Sequence, residues 1–340
     1  MVTEVTSAPP TAPDHGALQA AFSRHVAATG LLDGATAVVA ACSGGSDSTA
    51  LVVLLAAEAR ERGLPLVVFH VDHQLRGVEG RRDARAAADL AAALGLAFVF
   101  RSFPVRDLRG AGESLESAAR RLRYESLLAL GRDLGPGTLL ATGHTLDDQA
   151  ETVLLNLERR LARSRGGIRA RRADGVVRPL LPFRRDGLRA FLAVGGIPWR
   201  EDASNLDERF ARNRVRRRVL PALEARWPGA TERLARAAEA LTRRLDRLDG
   251  RIEEALAAAG VPLEGPWPRA LLAGLGAEAA GRLLVRAAGK EGRRPGRAQV
   301  ERVLARLAAG GPSFREAFAG GRISVDRLTV RRTPPARLIP

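Results

Sequence analysis

Cysteine is almost absent from this chain. Cys42 is the single cysteine among 340 residues, which excludes a disulfide framework, a zinc knuckle and Cys-x-x-Cys redox chemistry. No apolar run reaches the length of a membrane span. Residues 1–16 contain acidic residues and proline but no basic start, so they do not resemble a signal peptide. We therefore expect a disordered tail at 1–16 and a cytoplasmic protein with no membrane partner.

Lysine is equally scarce, because 54 basic residues include a single lysine, Lys290. No Gly-Lys-Ser/Thr sequence occurs, which excludes a Walker A loop. The formal net charge of +16 favours a polyanionic partner such as RNA. An excess of arginine and alanine is also typical of GC-rich coding. The positions of the arginines are therefore more informative than their number.

The length and the 46% hydrophobic content are sufficient for two domains, each with its own core. In the first half, apolar runs of strand length alternate with helical patterns, which predicts an α/β fold with a doubly wound, mostly parallel sheet. Predicted strands cover 37–42, 64–71, 96–100 and 138–142, and predicted helices cover 79–94, 114–134 and 146–162. We predict a nucleotide-binding catalytic domain over 17–222.

The remaining residues, 223–340, are predicted to form a mostly helical domain that binds substrate. Predicted helices cover 230–258, 268–288 and 296–309, and a short hairpin is predicted over 320–330. No residue in this half stands out as catalytic, so the chemistry is expected in the first domain.

A turn of small residues follows the first predicted strand and precedes a helical pattern that runs to about Glu61. It consists of Ser43, Gly44, Gly45, Ser46, Asp47 and Ser48. Glycines allow close approach of the backbone, serines offer hydroxyls, and the unpaired N–H groups of a helix N-terminus face an anion. The turn therefore predicts a phosphate site. Asp47 would repel phosphate unless a cation lies between them, which predicts bound Mg²⁺. The alternative is an ordinary turn with an aspartate helix cap.

A second polar segment follows the fourth predicted strand. It contains His144 and the carboxylates of Asp147, Asp148 and Glu151. Helical spacing brings these carboxylates together, and they repel each other unless cations lie among them. Mg²⁺ or a substrate ammonium would serve, so we predict a functional cluster. The alternative is a solvated acidic first turn that complements the helix dipole.

Two further segments carry side chains suited to a nucleotide. His73 follows the second predicted strand, where a base or ribose would lie; a lone histidine is also common as a surface or structural residue. Arg120 and Arg123 lie on one face of a predicted helix and could neutralise phosphate. A solvated basic face is the equal alternative for this pair.

The segment 209–218 is dense in arginine. Its members are Arg209, Arg212, Arg214, Arg216, Arg217 and Arg218. A short helix this basic usually contacts phosphate backbones, so we predict RNA binding here. The acidic turn just before it could orient these arginines by ion pairing.

Several motifs occur in a characteristic order. They are SGGSDS at 43–48, VDHQLR at 71–76, ARRLRY at 119–124, GHTLDDQAET at 143–152, EDASN at 201–205 and RNRVRR at 212–217. The first resembles the pyrophosphatase loop of the N-type ATP pyrophosphatases, the PP-loop superfamily. The whole series resembles the bacterial tRNA(Ile)-lysidine synthetases of the shorter type, densely over 36–225 and more loosely over 226–340.

The resemblance implies a reaction with ATP, Mg²⁺, free L-lysine and the tRNA(Ile) that carries a CAU anticodon. ATP would adenylate the C2 oxygen of the wobble cytidine and release pyrophosphate. The ε-amine of lysine would then displace AMP and give lysidine. The activity implied is that of a ligase that forms a carbon–nitrogen bond.

The resemblance also implies roles for the predicted site residues. The 43–48 turn would cradle pyrophosphate, and Asp47 and Asp148 would hold Mg²⁺. The metal and the lysine ammonium would be framed by His144, Asp147, Asp148 and Glu151. Phosphate charge would be compensated, or the RNA contacted, by Arg120, Arg123 and Arg216.

One stretch departs from the family pattern. The family places Arg-Gly-Ser/Thr-Gly shortly after the acidic motif, whereas this chain has Arg159, Arg160, Leu161 and Ala162. Helix is therefore expected where relatives have a glycine loop, and a catalytically inactive RNA-binding relative stays an alternative. A PP-loop tRNA thiolase would need a cysteine pair or cluster, which Cys42 alone cannot supply. An amide-forming synthetase would leave the arginine-rich segment unexplained. The oligomeric state stays open.

Overall fold

The protein is described from a computed structural model. The described residues are 15–158, 166–201, 208–287, 295–310, 312–318, 321–326 and 329–333. The predicted tail up to residue 14, the departure at 159–162 and residues 202–205 lie outside these ranges. Within the described residues, no helix combines the length and the apolar character that a membrane crossing needs.

A five-stranded parallel sheet forms the first of two units. Its strands are β1 (Ala37–Ala41), β2 (Leu66–Asp72), β3 (Ala97–Ser102), β4 (Thr138–Ala141) and β5 (Val176–Val177), in the spatial order β3-β2-β1-β4-β5. The strands are rich in apolar residues because both faces of the sheet are covered. In β1, Val38 and Ala40 pack into one core cluster, whereas Val39 packs into another.

Helices supply the rest of both clusters. In the first unit they are α1 (His15–Thr29), α2 (Ser46–Arg62), α3 (Val78–Ala93), α4 (Val105–Leu108), α5 (Leu115–Asp133), α6 (Leu146–Glu158), α7 (Arg185–Val194), α8 (Ala211–Arg214), a π-helical turn (Val215–Val219) and α9 (Leu220–Arg226). Leu54 of α2 and Phe191 of α7 join Val38, while Leu127 of α5 joins Val39. This alternation is the doubly wound arrangement.

The order of the strands places a crevice beside β1. The chain passes from β1 outward to β2 and β3, and then places β4 on the other side of β1. The segments that leave the carboxyl ends of β1 and β4 therefore diverge, which is the usual ligand position in such sheets. The 43–48 turn leaves β1, and the segment that contains His144 leaves β4.

The predicted fold class is confirmed. The four predicted strands occur with ends within two residues of their predicted positions, and so do the helices now numbered α3 and α5. Five elements of the first unit were not predicted: α1, α4, β5, α7 and α9. β5 has only two residues, too few to produce a periodic pattern.

The second unit combines helices with a small antiparallel sheet. Its elements are α10 (Ala230–Ala258) from residue 240 onward, α11 (Arg269–Ala287), α12 (Arg297–Ala308), β6 (Trp267–Pro268), β7 (Phe314–Phe318), β8 (Gly321–Val325) and β9 (Thr329–Thr333). The strand order is β6-β9-β8-β7. Trp267 is fully buried in the apolar core of this unit. The three predicted helices are confirmed, and the predicted hairpin is the β8–β9 pair of a larger sheet.

The contacts divide the chain inside α10, between residues 239 and 240. Val215, Leu220 and Leu234 pack with Ala150 of α6, so α8, α9 and the first turns of α10 belong with the sheet. The sequence places the boundary between 222 and 223, where prolines punctuate the chain. The assignment of catalysis to 17–222 and of substrate binding to 223–340 stays a prediction.

Candidate active site

The 43–48 turn is held by its own serines. Ser43 donates its N–H to Ser48 Oγ at 3.1 Å, and Ser48 Oγ donates to the Gly45 carbonyl at 3.0 Å. Gly44 has a φ of +87°, a left-handed conformation that favours glycine. Gly45 precedes α2 and offers no side chain to its first N–H groups. The helix N-terminus is therefore available to an anion.

Gly143 brings the segment after β4 against the first turn of α2. A Cβ added at Gly143 would lie 3.1 Å from the Asp47 carbonyl oxygen and 3.2 Å from Ser48 Cα. Both atoms belong to backbone and cannot move aside as a side chain could. Only glycine allows the two loops to approach this closely.

A cavity of about 590 Å³ lies at the carboxyl ends of β1, β2 and β4. The structure brings most of the predicted site residues together in its lining: Ser43, Gly45, Ser46, Asp47, Ser48, His73, Arg120, Arg123, His144, Asp148, Arg212 and Arg216. The lining does not include Gly44, Asp147, Glu151, Arg209, Arg214, Arg217 or Arg218. Segments that are far apart in the chain thus contribute to one site.

Asp148 and Glu151 form a buried acidic pair beside this cavity. Arg212 Nη2 lies 2.9 Å from Asp148 Oδ1, and Arg212 Nε lies 2.6 Å from Glu151 Oε2. Arg216 Nε lies 2.7 Å from Glu151 Oε1. Glu151 is fully buried, and Asp148 is 6% exposed. The predicted crowding of carboxylates with cations is therefore present, and here the cations are arginines.

Arg185, which the sequence did not single out, is the third cation of this cluster. Its Nε lies 2.9 Å from Asp47 Oδ2, its Nη2 lies 3.1 Å from Asp148 Oδ1, and its Nη1 lies 3.4 Å from Glu151 Oε1. Arg185 is separated from Asp47 by 138 positions and belongs to no motif that the sequence displays. Only the fold reveals it.

Asp147 occupies a different place from the other predicted carboxylates. Its Oδ2 accepts the backbone N–H of Arg185 at 2.8 Å, and its Oδ1 lies 3.5 Å from Arg184 Nε. Arg185 is the first residue of α7, so Asp147 satisfies a donor at the start of that helix. The structure therefore does not bring Asp147 to the acidic pair.

Burial and the arginines act in opposite directions on these carboxyl groups. Burial alone would raise the pKa of Asp148, but the charges of Arg185 and Arg212 outweigh it and lower that pKa to about 2. For Asp47, burial is the stronger effect and raises the pKa, although Arg185 opposes it. Asp148 is therefore a firmly ionised anion at neutral pH.

The two predicted metal ligands differ in their availability. Asp47 Oδ2 accepts from Arg185, whereas the contact of Oδ1 among the residues that the structure describes is a long one, 3.4 Å from Ser46 Oγ. Asp148 Oδ1 accepts from three guanidinium groups, and Oδ2 accepts from Thr145. The described residues contain no cluster of three or more His, Cys, Asp or Glu that could hold a metal. Mg²⁺ commonly uses one or two carboxylates together with phosphate oxygens and water. Asp47 fits that pattern, and Asp148 does so less well.

Two histidines face the cavity in neutral form. Burial lowers the pKa of His144 to about 3, and its Nδ1 lies 3.0 Å from Thr142 Oγ1. Burial also lowers the pKa of His73 to about 4, assisted by the charge of Arg123. His73 Nδ1 is buried without a hydrogen-bond partner, which leaves it available to a polar ligand.

Arg120 and Arg123 surround the ring of Tyr124 on α5. Their guanidinium carbons lie 5.0 and 5.7 Å from the ring centroid, a distance typical of cation–π contact. Burial lowers the pKa of Arg123, although its side chain stays partly exposed. Within the described ranges no carboxylate is paired with it, and such a cation favours a bound anion.

Arg200 is a second functional side chain that the sequence analysis missed. Its N–H donates to the Gly44 carbonyl at 2.8 Å, and its Nε donates to Asp83 at 3.2 Å. It thereby ties the 43–48 turn to α3. Its place directly before the EDASN motif at 201–205 is the sequence signal that indicates it.

The arginine-rich segment divides into two faces. Arg212 and Arg216 turn inward to the acidic pair. The exposed members are Arg209, Arg214, Arg217 and Arg218. The inward pair lies in α8 and in the π-helical turn that follows it, and such turns are frequent at functional sites. One face of the predicted basic helix therefore belongs to the site, and the other face is exposed at the surface.

These features define a class of protein. A model of the PP-loop domain family matches residues 18–223, more than half of the chain, and the chain belongs to this family of ATP-binding domains. The 43–48 turn lies within the matched residues.

Among curated relatives, the chain is similar to tRNA(Ile)-lysidine synthases. It is 46% identical over 204 residues to the one from Thermus thermophilus, covering 60% of this chain and 39% of that protein. It is 42% identical over 236 residues to the one from Alkalilimnicola ehrlichii, covering 66% of this chain and 51% of that protein. The chain thus spans about half or less of the length of these relatives.

A solved structure shares the fold. The U34-tRNA thiolase NcsA from Methanococcus maripaludis superposes with a TM-score of 0.54, covering 67% of this chain and 79% of that one. The sequence identity is 19%, so this likeness concerns the fold alone.

Proposed function

We propose that this protein ligates free L-lysine to C2 of the wobble cytidine of CAU-anticodon tRNA(Ile), with ATP consumed to AMP and pyrophosphate. The observation that carries the proposal is the cavity that joins the phosphate loop to Asp148, with Glu151 buried beside it. One end of this site suits a nucleoside triphosphate and the other suits an ammonium group. Similarity to tRNA(Ile)-lysidine synthases over more than half of the chain supports the same conclusion.

The first step is adenylation of the cytidine C2 oxygen. The 43–48 turn and the N-terminus of α2 would hold the phosphates that leave as pyrophosphate. Arg120 and Arg123 would compensate phosphate charge, and neutral His73 offers an unpartnered nitrogen to the base or ribose. Asp47 would hold Mg²⁺, with Asp148 as a second candidate, and the metal would neutralise the charge that develops on the phosphates.

The second step needs lysine in an uncharged form. Free lysine has a side-chain pKa of ~10.4, so its ammonium must lose a proton before attack. Asp148 and Glu151 would bind the ammonium, while Arg185, Arg212 and Arg216 already balance these carboxylates. Each guanidinium reduces the hold of the carboxylates on a further cation, which keeps the lysine proton easier to remove.

RNA would meet the outward arginines. Arg214, Arg217 and Arg218 are exposed, and phosphate contacts of this kind position a nucleic acid without reading its sequence. Two aromatic side chains near this segment are also exposed, Phe210 by 47% and Trp227 by 52%. The Arg226 guanidinium carbon lies 5.4 Å from the Trp227 ring. Exposed aromatic rings beside arginines suit unpaired bases.

Mass analysis of the wobble nucleoside tests the proposal. The full chain is incubated with ATP, Mg²⁺, labelled lysine and a CAU-anticodon tRNA(Ile) transcript, and the nucleosides are analysed after digestion. We expect a labelled lysidine, with AMP and pyrophosphate formed in equal amounts. A transcript with a CAU anticodon on a methionine tRNA body is the control. Absence of labelled nucleoside, or formation of ADP and phosphate, would overturn the proposal.

A PP-loop tRNA thiolase is the second candidate, because the family match alone does not distinguish it from a lysine ligase. Cys42 is the single cysteine of the chain and is buried at the end of β1. Burial raises its pKa, which disfavours the thiolate that sulfur chemistry needs. The same nucleoside analysis separates the candidates, since a thiolated base carries no lysine. The cytoplasmic location stays a prediction to be tested separately.

A further inference from the structure

We propose that Arg185 is a positioning residue that joins the phosphate loop to the acidic pair, and that Asp147 acts through it. This rests on the proposed function. The three nitrogens of one guanidinium contact three carboxylates: Asp47 from the first turn of α2, and Asp148 and Glu151 from α6. A single planar group thus sets the distance between the nucleotide end and the lysine end of the site.

Arg212 and Arg216 cannot substitute for Arg185 as the bridge between Asp47 and the acidic pair. Both contact Asp148 and Glu151, but their ion pairs do not extend to Asp47. Among the described residues, Arg185 is the cation paired with Asp47. Without it, Asp47 would face Asp148 across the cavity with no shared partner, and like charges would separate.

The guanidinium is well anchored. Its side chain is 11% exposed, and its backbone N–H is held by Asp147 at 2.8 Å. Leu188 and Phe191 of the same helix are fully buried in the core, so the start of α7 cannot shift freely. Asp147 therefore contributes to the site by fixing where Arg185 begins, not by touching a substrate.

The test compares Arg185→Gln and Arg185→Lys with the wild-type chain. Misplacement of about 1 Å in a catalytic group lowers rates by about 10²-fold, so we expect Arg185→Gln to lower kcat for pyrophosphate release by about 10²-fold and also to raise the KM for lysine. Arg185→Lys should recover part of the loss, because one ammonium can contact some of the carboxylates but cannot span all three. Equal kinetic constants in wild type and Arg185→Gln would overturn the proposal.

Arg62→Gln is the matched control for a purely structural loss. Arg62 lies at the far end of α2 and pairs with buried Glu58 at 2.6 Å. The Arg62→Gln variant should have a lower melting temperature and unchanged kcat and KM. If Arg185 had only a structural role, Arg185→Gln would show that same pattern. If Arg185→Gln does not fold, Arg185→Lys carries the comparison.

A double-mutant cycle tests the role of Asp147. Asp147→Ala should raise the KM for lysine and lower kcat in the wild-type background, and should change little in the Arg185→Gln background. Additive effects would mean that Asp147 acts independently of Arg185, which would overturn that part. Failure of the wild-type chain to form lysidine would refute the proposed function instead, and ATP affinity measured by calorimetry in the same variants would still report on Arg185.

Discussion

The two faces of the 209–218 segment use one residue type for opposite purposes. Arg212 and Arg216 are partly buried and form ion pairs with Asp148 and Glu151. Arg214, Arg217 and Arg218 are exposed, although Arg218 pairs with Glu208 at the surface. An inward arginine stabilises a buried anion and loses its long-range field, whereas an outward one acts on a distant polyanion through that field. Burial therefore decides function here more than residue identity does.

The largest effect is expected from Glu151→Gln, which breaks the inward face. Glu151 is fully buried and contacts Arg185, Arg212 and Arg216. Removing one partner of a buried ion pair costs about 3–5 kcal/mol, so the free energy of unfolding in urea should fall by about that amount. Lysine KM should also rise. An unfolding free energy within about 1 kcal/mol of wild type would contradict the inward assignment.

The outward face is tested by Arg214→Gln, Arg217→Gln and Arg218→Gln together. Each lost phosphate contact should reduce the slope of log affinity against log salt by about 0.7–0.9, for cognate and non-cognate tRNA alike. The lysine KM and the unfolding free energy should stay near wild type. Filter binding at several salt concentrations measures the slope.

Arg212→Gln is the matched control from the inward face, and it should change the lysine KM and leave the salt slope unchanged. An unchanged slope in the outward triple variant would show that those arginines form a solvated surface. The RNA contacts would then have to be sought elsewhere in the chain.

The fluorescence of Trp227 gives a direct test of whether RNA contacts the outward face. The chain has three tryptophans; Trp267 is fully buried and Trp199 packs against the core of the first unit. A base stacked on Trp227 should quench its fluorescence on tRNA binding, and Trp227→Ala should weaken binding by about tenfold. Trp227→Phe should lose the quenching but keep most of the affinity. Quenching that persists in Trp227→Phe would assign the signal to another tryptophan.

The smallest effect concerns acid stability. The pKa of Asp148 is held at about 2, below its ordinary value, by Arg185 and Arg212 against the effect of burial. A lowered folded-state pKa contributes stability above the unfolded pKa of ~3.9 and loses it as pH falls towards 2. The difference in unfolding free energy between wild type and Asp148→Asn should therefore shrink from pH 5 to pH 2. A pH-independent difference would contradict the ion pairing.

The fold and about half of the site residues could be predicted from the sequence alone. Asp47, His144 and Asp148 were predictable because each follows a buried strand whose carboxyl end the parallel topology brings to one edge. Glu151 followed from helical spacing to Asp148. Asp147 was expected in the same cluster, but successive helical residues point about 100° apart, and its side chain turns to the start of α7.

The role of Arg185 could not be predicted from the sequence. Its role depends on where α7 begins, and α7 was not predicted. One arginine among 54 basic residues carries no local signal, and its partners lie 34 to 138 positions away. The division of the 209–218 segment was equally hidden, because which face turns inward is decided by packing of Val215 and Leu220 against α6.

The close approach of Gly143 to α2 determines which amino-acid substitutions near the site leave its spacing unchanged. Backbone atoms set the separation of the two loops, with 3.1 Å between a Cβ position at Gly143 and the Asp47 carbonyl oxygen. Side chains that do not line the crevice can therefore be exchanged without altering the separation of these two segments. A single added methyl group at residue 143 would alter it at once. The surface can thus vary in composition, while the absence of a side chain at Gly143 keeps the two segments close together.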